Sequence, residues 1–435
     1  MNYKETINYL FNATPLFQQV GGKAYKEGLS NTHILDEHFQ HPHIQYTTIH
    51  VAGTNGKGSC AHTLAAMLQH HGLKVGLYTS PHLVDFRERI RVNGVMMPED
   101  YVVRFVEEER AFFEPLHPSF FELTTALAFK YFAEEKVDVA VIEVGLGGRL
   151  DCTNIITPCL SVITNISFDH TQFLGDTLAK IASEKAGIIK TNVPVVIGET
   201  NEETRPVFQN KAKDVKAPIT FAEDEAEILT STLTTEGLRL YQTRNFGELR
   251  GELIGECQVK NANTILKAAQ ILMPIFNLTN EDIAYAFRHV CSATGLQGRW
   301  QVLQNAPMVV CDTGHNMGGW QYIGHQLNEL TQKYAKVHIV FGMAGDKDVD
   351  HVLLQIPKCA RCYWTRASVH RAMDEHEVNR IALSHGLEGK MFDNVPEAYE
   401  EALLCADKDD FVYVGGSSFV VADLLSYLKE KGKSF

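Results

Sequence analysis

The stretch Val51-Ala-Gly-Thr-Asn-Gly-Lys-Gly-Ser59 decides the fold. The segment before it, Tyr46-Thr-Thr-Ile-His-Val-Ala52, is rich in β-branched residues and reads as a buried strand. After it, Leu64, Met67, Leu68 and His71 recur at helical spacing, and Gly72 marks the stop. A strand, a glycine-rich turn and a helix start aim free backbone N–H groups at a phosphate. Lys57 adds a point charge, and Ser59 a hydroxyl suited to phosphate oxygens or Mg²⁺. The spacing departs from G-x-x-x-x-G-K-[ST] by one residue, Gly58, which stands between Lys57 and Ser59. The competing reading is an ordinary βα turn that needs flexible residues. Three glycines, a lysine and the correct flanks favour phosphate binding.

Strands and helices alternate outward from this loop. Residues 1–45 read as helices and loops leading into the first strand. Residues 74–79 form a second buried strand, followed by Ser80-Pro-His-Leu83. The charged run at residues 85–94 is expected as a mobile surface loop or a short hairpin. Pro98-Glu-Asp opens a helix to about residue 113, and Ser119-Phe-Phe-Glu122 is a capping box heading a helix to residue 135. Residues 137–144 are a near-continuous apolar strand whose last polar residue is Glu143, running into Gly145-Leu-Gly-Gly-Arg-Leu-Asp151. Residues 160–165 are another strand, with Phe168-Asp169-His170 just beyond. A helix over 176–190 contains Glu184 and Lys185, and residues 193–197 are the next strand. This alternation predicts a parallel sheet with helices on both faces. Ligands gather at the C-terminal strand ends of such sheets, where Lys57, Ser80, Glu143 and His170 all fall.

Residues 215–257 change texture. Alternating polar and apolar residues at 230–235 and 238–243 predict antiparallel strands at the edge of the first domain, and helices return at 258–272 and 279–290. At 435 residues the chain is too long for one typical core, and the boundary is placed at 292–298, giving domains 1–295 and 296–435. The second, smaller unit has expected strands at 308–311, 337–342, 362–365 and 411–414, with helices at 317–334 and near 418–431. It carries no phosphate loop of its own. The fold class is α/β: a P-loop-containing, mostly parallel sheet domain, then a smaller Rossmann-like α/β domain.

Composition sets limits. Forty basic against 53 acidic side chains leave a net charge of −13, which argues against a general nucleic-acid binder. No apolar run is long enough to span a bilayer, and Met1-Asn-Tyr-Lys-Glu5 lacks the apolar core of a signal peptide. The single C-x-x-C, Cys359-Ala-Arg-Cys362, leads into a strand and has no second pair, so neither a redox nor a zinc role is expected. Nine scattered cysteines point to free thiols in a reducing cytoplasm.

Individual residues carry open alternatives. Glu143, ending a buried strand, suits Mg²⁺ or activation of a nucleophile, against a salt-bridge role. His170 alone reads as structural, because Mg²⁺ prefers oxygen ligands. Lys185 in an apolar helix either snorkels, pairs with a carboxylate, or is buried with a depressed pKa. Asp312 can accept ribose hydroxyls and His315 can contact phosphate, against a tight turn built on Gly314 and Asn316. Arg299, at the domain junction, is placed to reach a nucleotide.

Taken together, Gly53–Ser59, Thr79-Ser-Pro-His-Leu83, Glu88-Arg-Ile90, Glu143–Asp151, Asp169-His170 and Glu184-Lys-Ala-Gly-Ile188 resemble, in order and context, the folylpolyglutamate synthase and dihydrofolate synthase family. That family is related to the Mur peptide ligases, and the likeness covers nearly the whole chain. The resemblance implies an ATP-binding ligase domain at 1–295 and a glutamate-ligase domain at 296–435. It implies ATP phosphates on Asn55, Gly56, Lys57 and Gly58, with Ser59 beside them, and nucleotide contacts from Asn261, Arg299, Asp312 and His315. Ser80, Glu143 and His170 would be Mg²⁺ ligands, and a monovalent cation such as K⁺ would be a further cofactor. Lys185 would be N-carboxylated by CO₂, and Lys57, Lys185 and His170 would carry the catalytic roles. Ser119, Phe120, Phe121, Glu122, Leu150, Asp151 and Cys152 would line the site of the pterin-bearing substrate. Two places depart from the family pattern: Asp312-Thr-Gly-His-Asn-Met317 for Asp-x-Ala-His-Asn-Pro, and Cys152-Thr-Asn154 for Ala-Thr-Asn. Both keep the polar residues.

The implied reaction joins L-glutamate to dihydropteroate or to a folate's terminal glutamate at the expense of ATP. The implied partners are these small molecules, with no nucleic acid and no membrane, and the implied state is a cytoplasmic monomer. Two alternatives stand beside it. One is a nucleotide switch that hydrolyses ATP without ligating anything. The other is a Mur-type peptide ligase, for which no separate N-terminal domain of sufficient size is seen.

Overall fold

Thr47–Ala52 (β1) buries every residue but Thr47, as its β-branched composition predicts. In the computed structural model, which describes residues 1–13 and 28–433, β1 lies inside an eight-stranded sheet. The expectation for residues 14–27 lies outside the described residues. The other strands are Val75–Tyr78 (β2), Ile90–Val92 (β3), Val95–Met96 (β4), Val139–Glu143 (β5), Leu160–Ile163 (β6), Val195–Ile197 (β7) and Ile219–Phe221 (β8). Their order is β4-β3-β2-β5-β1-β6-β7-β8. β1 runs parallel to β5, Val51 opposite Glu143, and to β6, Ile49 opposite Leu160. β2, β5, β6 and β7 are buried along their whole length, which requires helices on both faces.

On one face the helix Lys57–His70 packs Leu64, Met67 and Leu68 against Val51, Val141 and Val162. Helices Gln258–Phe276 and Asn280–Thr294 close that layer with Leu266, Leu272 and Ile283. Full burial of each leucine contributes about 1.5–3 kcal/mol. Several of them together outweigh the cost of Pro274 inside the last turns of its helix, about 3 kcal/mol. On the other face, Glu99–Phe113 and Phe120–Glu134 pack Phe105, Leu123, Leu127 and Phe132 against Tyr78, Ala140 and Ile142.

Two sequence expectations need correction here. The charged run does lead into a hairpin, β3 with β4, on the sheet edge, but it is not all surface: Arg89 and Arg91 are buried, while Asn93 and Val95 at the turn are exposed. Most of these groups find partners inside. The Glu88 carboxylate accepts the N–H groups of Leu83, Val84 and Asp85, and Arg89 Nε donates to His82 Nδ1 at 2.8 Å. Arg91 donates to the Gly94 carbonyl at 3.0 Å, its buried Nε lacking a partner among the described residues. The alternating segment near 230–243 does form the expected antiparallel strands, outside the main sheet. It forms a separate antiparallel sheet of Ile228–Leu233 (β9), Arg239–Thr243 (β10) and Glu248–Gly251 (β11), while the main sheet's edge is the unforeseen β8. The helix expected over 176–190 is shorter, Leu178–Ala186, capped by the Thr177 side chain.

The chain divides into two units, Met1–Ile254 with Gln258–Leu296 and Gly255–Cys257 with Gln297–Phe435. The second unit has its own six-stranded sheet: Gln301–Asn305 (β12), Met308–Asp312 (β13), Val337–Phe341 (β14), Arg361–Thr365 (β15), Gly389–Phe392 (β16) and Phe411–Gly415 (β17). The order is β12-β13-β17-β14-β15-β16, antiparallel only between β12 and β13. β12 and β16 were not expected. Trp320, from the helix Met317–Leu330, fills the centre of this unit against Phe341 and Tyr413.

Candidate functional site

Strands β2, β5, β1 and β6 are parallel neighbours, so their C-terminal ends lie side by side. The chain leaves β1 toward β2 and leaves β5 toward β6, in opposite directions, and such a switch opens a crevice above the strand ends. Lys57, Ser80, Glu143 and His170 follow these four strands, so the topology brings together the four residues that the sequence places at strand ends.

The phosphate loop is braced from β6. Thr54 and Asn55 donate their N–H groups to Asn165, at 2.9 Å each, and the Thr164 hydroxyl donates to the Asn55 carbonyl. Gly56 has φ +82°, and a side chain there would run into the Asn261 amide. Asn261, 6% exposed, therefore lies directly against the loop and is held by Gln258. Lys57 Nζ donates to the Thr54 carbonyl at 3.0 Å. Ser59 is buried beneath the loop, its hydroxyl accepting from the Gln258 amide. Asn165, Ser167 and Gln258 were missed from sequence. The signal for the first two was the polar run Thr164-Asn165-Ile-Ser167 directly after a buried strand.

Glu143 ends β5, is 3% exposed, and accepts the Ser80 N–H on Oε2 at 3.1 Å. His170 takes a left-handed conformation, φ +50°, as the N-cap of Thr171–Leu174, with its Nε2 3.8 Å from Asp169. A buried carboxylate whose second oxygen is not spent on the Ser80 N–H is an oxygen donor of the kind Mg²⁺ selects.

Lys185 does not snorkel. It is 4% exposed, and its Nζ donates to the Gly53 carbonyl at 2.9 Å. Burial lowers its pKa to about 7, with Lys57 pushing the same way and Asp169 and Asp151 opposing. At neutral pH a large share of this amine is therefore unprotonated and nucleophilic.

The loop from Gly145 to Asp151 rests on the Lys185 helix. A Cβ on Gly148 would lie 2.8 Å from the Glu184 carbonyl oxygen and 3.0 Å from Lys185 Cα, so only glycine permits this approach. Asp151 is buried, and its carboxylate accepts from Leu146 N–H at 2.8 Å, Thr153 N–H at 3.0 Å and the Thr153 hydroxyl at 2.5 Å. Burial nonetheless holds its pKa above the ordinary value. Leu150 and Cys152 are partly exposed beside it. Phe121 lies against Gly145 and 5.8 Å from the Tyr78 ring, and Phe120 packs on Phe86 and beneath the Arg89 guanidinium. Ser119 and Glu122 are both buried and form the capping box, Ser119 N–H to Glu122 at 2.6 Å and Glu122 N–H to Ser119 at 3.2 Å. Their side chains serve the helix start first.

In the second unit Arg299, just before β12, lies against the turn that runs from Asp312 at the end of β13 to His315. Each Asp312 oxygen accepts a backbone N–H at 2.7 Å, from Trp300 and from Gly314. Burial raises its pKa against the opposing charge of Arg299. The Arg299 guanidinium donates to Thr313 Oγ1, and His315 Nδ1 lies 3.1 Å from the Thr313 carbonyl. Asn316 caps the helix Met317–Leu330 through the Gly319 N–H at 3.0 Å, in line with the tight-turn reading of this segment.

Residues 51–269 match the Mur ligase middle domain, and residues 298–418 match the Mur ligase glutamate ligase domain. Fold and phosphate loop thus define an ATP-dependent ligase of the Mur type. The chain is 32% identical over 426 residues to a Bacillus subtilis dihydrofolate synthase/folylpolyglutamate synthase, covering 93% of this chain and 95% of the relative. It is 33% identical to a probable bifunctional folylpolyglutamate synthase/dihydropteroate synthase of Haloferax volcanii, covering 97% of this chain but only 50% of that longer protein. Among solved structures, Escherichia coli FolC in complex with DHPP and ADP superposes with a TM-score of 0.84 at 28% identity, over 99% of each chain. A bifunctional folylpolyglutamate synthase/dihydrofolate synthase with Mn, AMPPNP and L-glutamate bound gives 0.81 at 28% identity, over 99% of this chain and 98% of that one. The chain belongs to the folylpolyglutamate synthase/dihydrofolate synthase family of the Mur ligase superfamily.

Proposed function

We propose that this enzyme uses ATP to join L-glutamate in amide linkage to dihydropteroate, to the terminal glutamate of a folate, or to both. The observation that carries this reading is the convergence of the phosphate loop, Ser80, Glu143 and His170 on four adjacent strand ends. In the first step a carboxylate oxygen of the acceptor attacks the γ-phosphorus, and ADP leaves. The amine nitrogen of L-glutamate then attacks the acyl-phosphate carbonyl. Inorganic phosphate leaves, the nitrogen sheds a proton, and the amide remains.

The chain's own contribution is positioning and charge neutralisation. The loop at residues 55–58 is proposed to cradle the phosphates through the N–H groups of Gly56, Lys57 and Gly58, while the Asn55 N–H braces the loop on Asn165. Lys57 compensates their charge, and Asn261 presses on the loop. Ser80, Glu143 and His170 are the residues that would hold Mg²⁺, which supplies charge compensation on the transferring phosphoryl group; K⁺ is a further proposed cation. Lys185 is proposed to react with CO₂ as the neutral amine, forming an N–C bond and releasing a proton, and so to present a carbamate to the site. Phe120, Phe121, Leu150, Asp151 and Cys152, on the frame of the Ser119–Glu122 cap, are proposed to receive the pterin-bearing substrate. Arg299, Asp312 and His315 are the proposed nucleotide contacts of the second unit, and the proposed domain limits are 1–295 and 296–435.

No helix among the described residues is long and apolar enough to cross a membrane, and all nine cysteines are free thiols. Free thiols fit a reducing compartment, and the proposed state is a cytoplasmic monomer acting on small molecules. ATP turnover measured with and without L-glutamate and dihydropteroate tests the proposal. A ligase requires both substrates, whereas turnover indifferent to them would identify a nucleotide switch. Repeating the assay with tetrahydrofolate as acceptor separates the two folate reactions.

A further inference from the structure

β1 carries a histidine that the proposed chemistry does not use. His50 has no exposed surface and stands opposite Ile142 of β5 and Ser161 of β6, in the strand that runs into the phosphate loop. Its Nε2 lies 2.8 Å from Oγ1 of Thr153, which is equally buried. The Thr153 hydroxyl lies 2.5 Å from Asp151 Oδ1. Backbone N–H groups of Gly145, Leu146 and Thr153 also donate to this carboxylate, favouring its ionised form against the burial that raises its pKa. An ionised carboxylate only accepts, so the single hydroxyl proton of Thr153 goes to Asp151, and His50 must donate to Thr153. That fixes the Nε2–H tautomer and leaves Nδ1 a bare acceptor, and Nδ1 has no hydrogen-bond partner among the described residues. Burial, reinforced by the charge of Lys190, lowers the imidazole pKa to about 3 and keeps the ring neutral.

An unpartnered buried nitrogen is a cost to the fold that a leucine at this position would not carry. The imidazole is therefore explained by what it holds in place rather than by stability. We infer that His50 is a positioning residue for the pterin-bearing substrate: through Thr153 it fixes the Asp151 carboxylate, and with it the loop from Gly145 to Cys152, onto β1. The inference rests on the proposed placement of Leu150, Asp151 and Cys152 at that substrate.

The test uses the full-length enzyme and its His50→Leu, His50→Gln and Thr153→Val variants. In His50→Leu the KM for dihydropteroate should rise by about tenfold while the KM for ATP changes by less than about twofold, the pattern of a lost positioning contact. His50→Gln, which keeps a side-chain N–H donor, should recover to within about threefold of the parent enzyme. Thr153→Val should reproduce the His50→Leu pattern, and the double variant should be no worse than either single one, because both break the same chain. Long-range ¹H–¹⁵N spectra of the histidine-labelled parent enzyme should show the Nε2–H tautomer at His50. A protonated Nδ1, an unchanged dihydropteroate KM in His50→Leu, or equal rises in both KM values would overturn the inference. A parent enzyme that turns over ATP without ligating glutamate would instead remove the parent reading, and the tautomer would still decide whether the hydrogen-bond chain exists.

Discussion

The Ser80 N–H donates to Glu143 Oε2 at 3.1 Å, tying the segment after β2 to the last residue of β5. One oxygen of a buried carboxylate is thus fixed by the backbone, and the side chain is oriented before any ligand arrives. Glu143→Gln keeps an acceptor for that N–H while removing the charge. The half-saturating Mg²⁺ concentration should therefore rise by about tenfold or more, since even indirect partners of a metal ligand are worth 10–100-fold. Activity measured against Mg²⁺ at saturating ATP checks this, and an unchanged titration would remove Glu143 from the metal site.

Much of this site was legible in the sequence because it sits where strands end. The apolar runs before Gly53, Ser80, Gly145 and Thr164 mark fully buried parallel strands, and a parallel sheet places its polar turn residues along one edge. What was not legible depends on pairing rather than composition. β8 and β16 are three and four residues long, too short to show a period. Arg89 and Arg91 read as a charged surface, yet both are buried, bonded inside the fold to His82 and to the Gly94 carbonyl. Lys185 could not be assigned from its apolar neighbours alone. Only the 2.9 Å contact with Gly53 shows that its amine points inward. Asn261 is more than two hundred residues from Gly56, so the sequence gives no geometric hint of their contact.

A buried ion pair anchors the small β9–β10–β11 sheet to its neighbouring helix. Glu227, with no exposed surface, accepts from Lys267 at 2.9 Å, from Asn245 and from Gln270. Lys267→Met leaves that carboxylate without its cation and should cost about 3–5 kcal/mol of stability. Adding Glu227→Gln should recover part of the loss, because the uncompensated charge is then gone. Urea unfolding of the single and double variants measures both effects.

Stability should also depend on Asp282 in acid. It heads the helix Asn280–Thr294 and bonds His70 at 2.8 Å, His71 at 3.0 Å and the Thr279 N–H at 2.8 Å. Burial alone would raise its pKa, but these bonds together bring it from 3.8 down to about 2. A carboxyl group with a depressed folded-state pKa binds its proton more tightly in the unfolded chain. Its contribution is therefore complete above about pH 4 and is lost as the pH falls through about 2. Asp282→Asn should lower stability at pH 7 and give a flatter curve between pH 4 and pH 2, read from denaturation midpoints. Parallel curves for the two proteins would exclude this role.

Lys185 separates three chemistries. A snorkelling lysine would tolerate arginine, but the amine is buried and bonded to Gly53. A cationic phosphate ligand would keep partial activity as Lys185→Arg and lose it as Lys185→Ala. A carbamate is an anion, so arginine brings the wrong sign and both variants should fall by about 10²-fold or more in kcat/KM, about 3 kcal/mol of transition-state stabilisation. The lowered pKa favours the carbamate, since CO₂ reacts with the neutral amine, and a pKa of about 7 leaves a large share of it neutral at physiological pH. Short carboxylic acids such as acetate should partly restore Lys185→Ala by placing an anion in the vacated space, and should do nothing for Lys185→Arg. Lowering the CO₂ and bicarbonate supply should reduce the parent enzyme's activity reversibly, and ¹³C-bicarbonate should give a carbamate resonance that Lys185→Ala lacks. A highly active arginine variant, together with no such resonance, would leave Lys185 an unmodified lysine whose buried amine serves only to tie its helix to the phosphate loop.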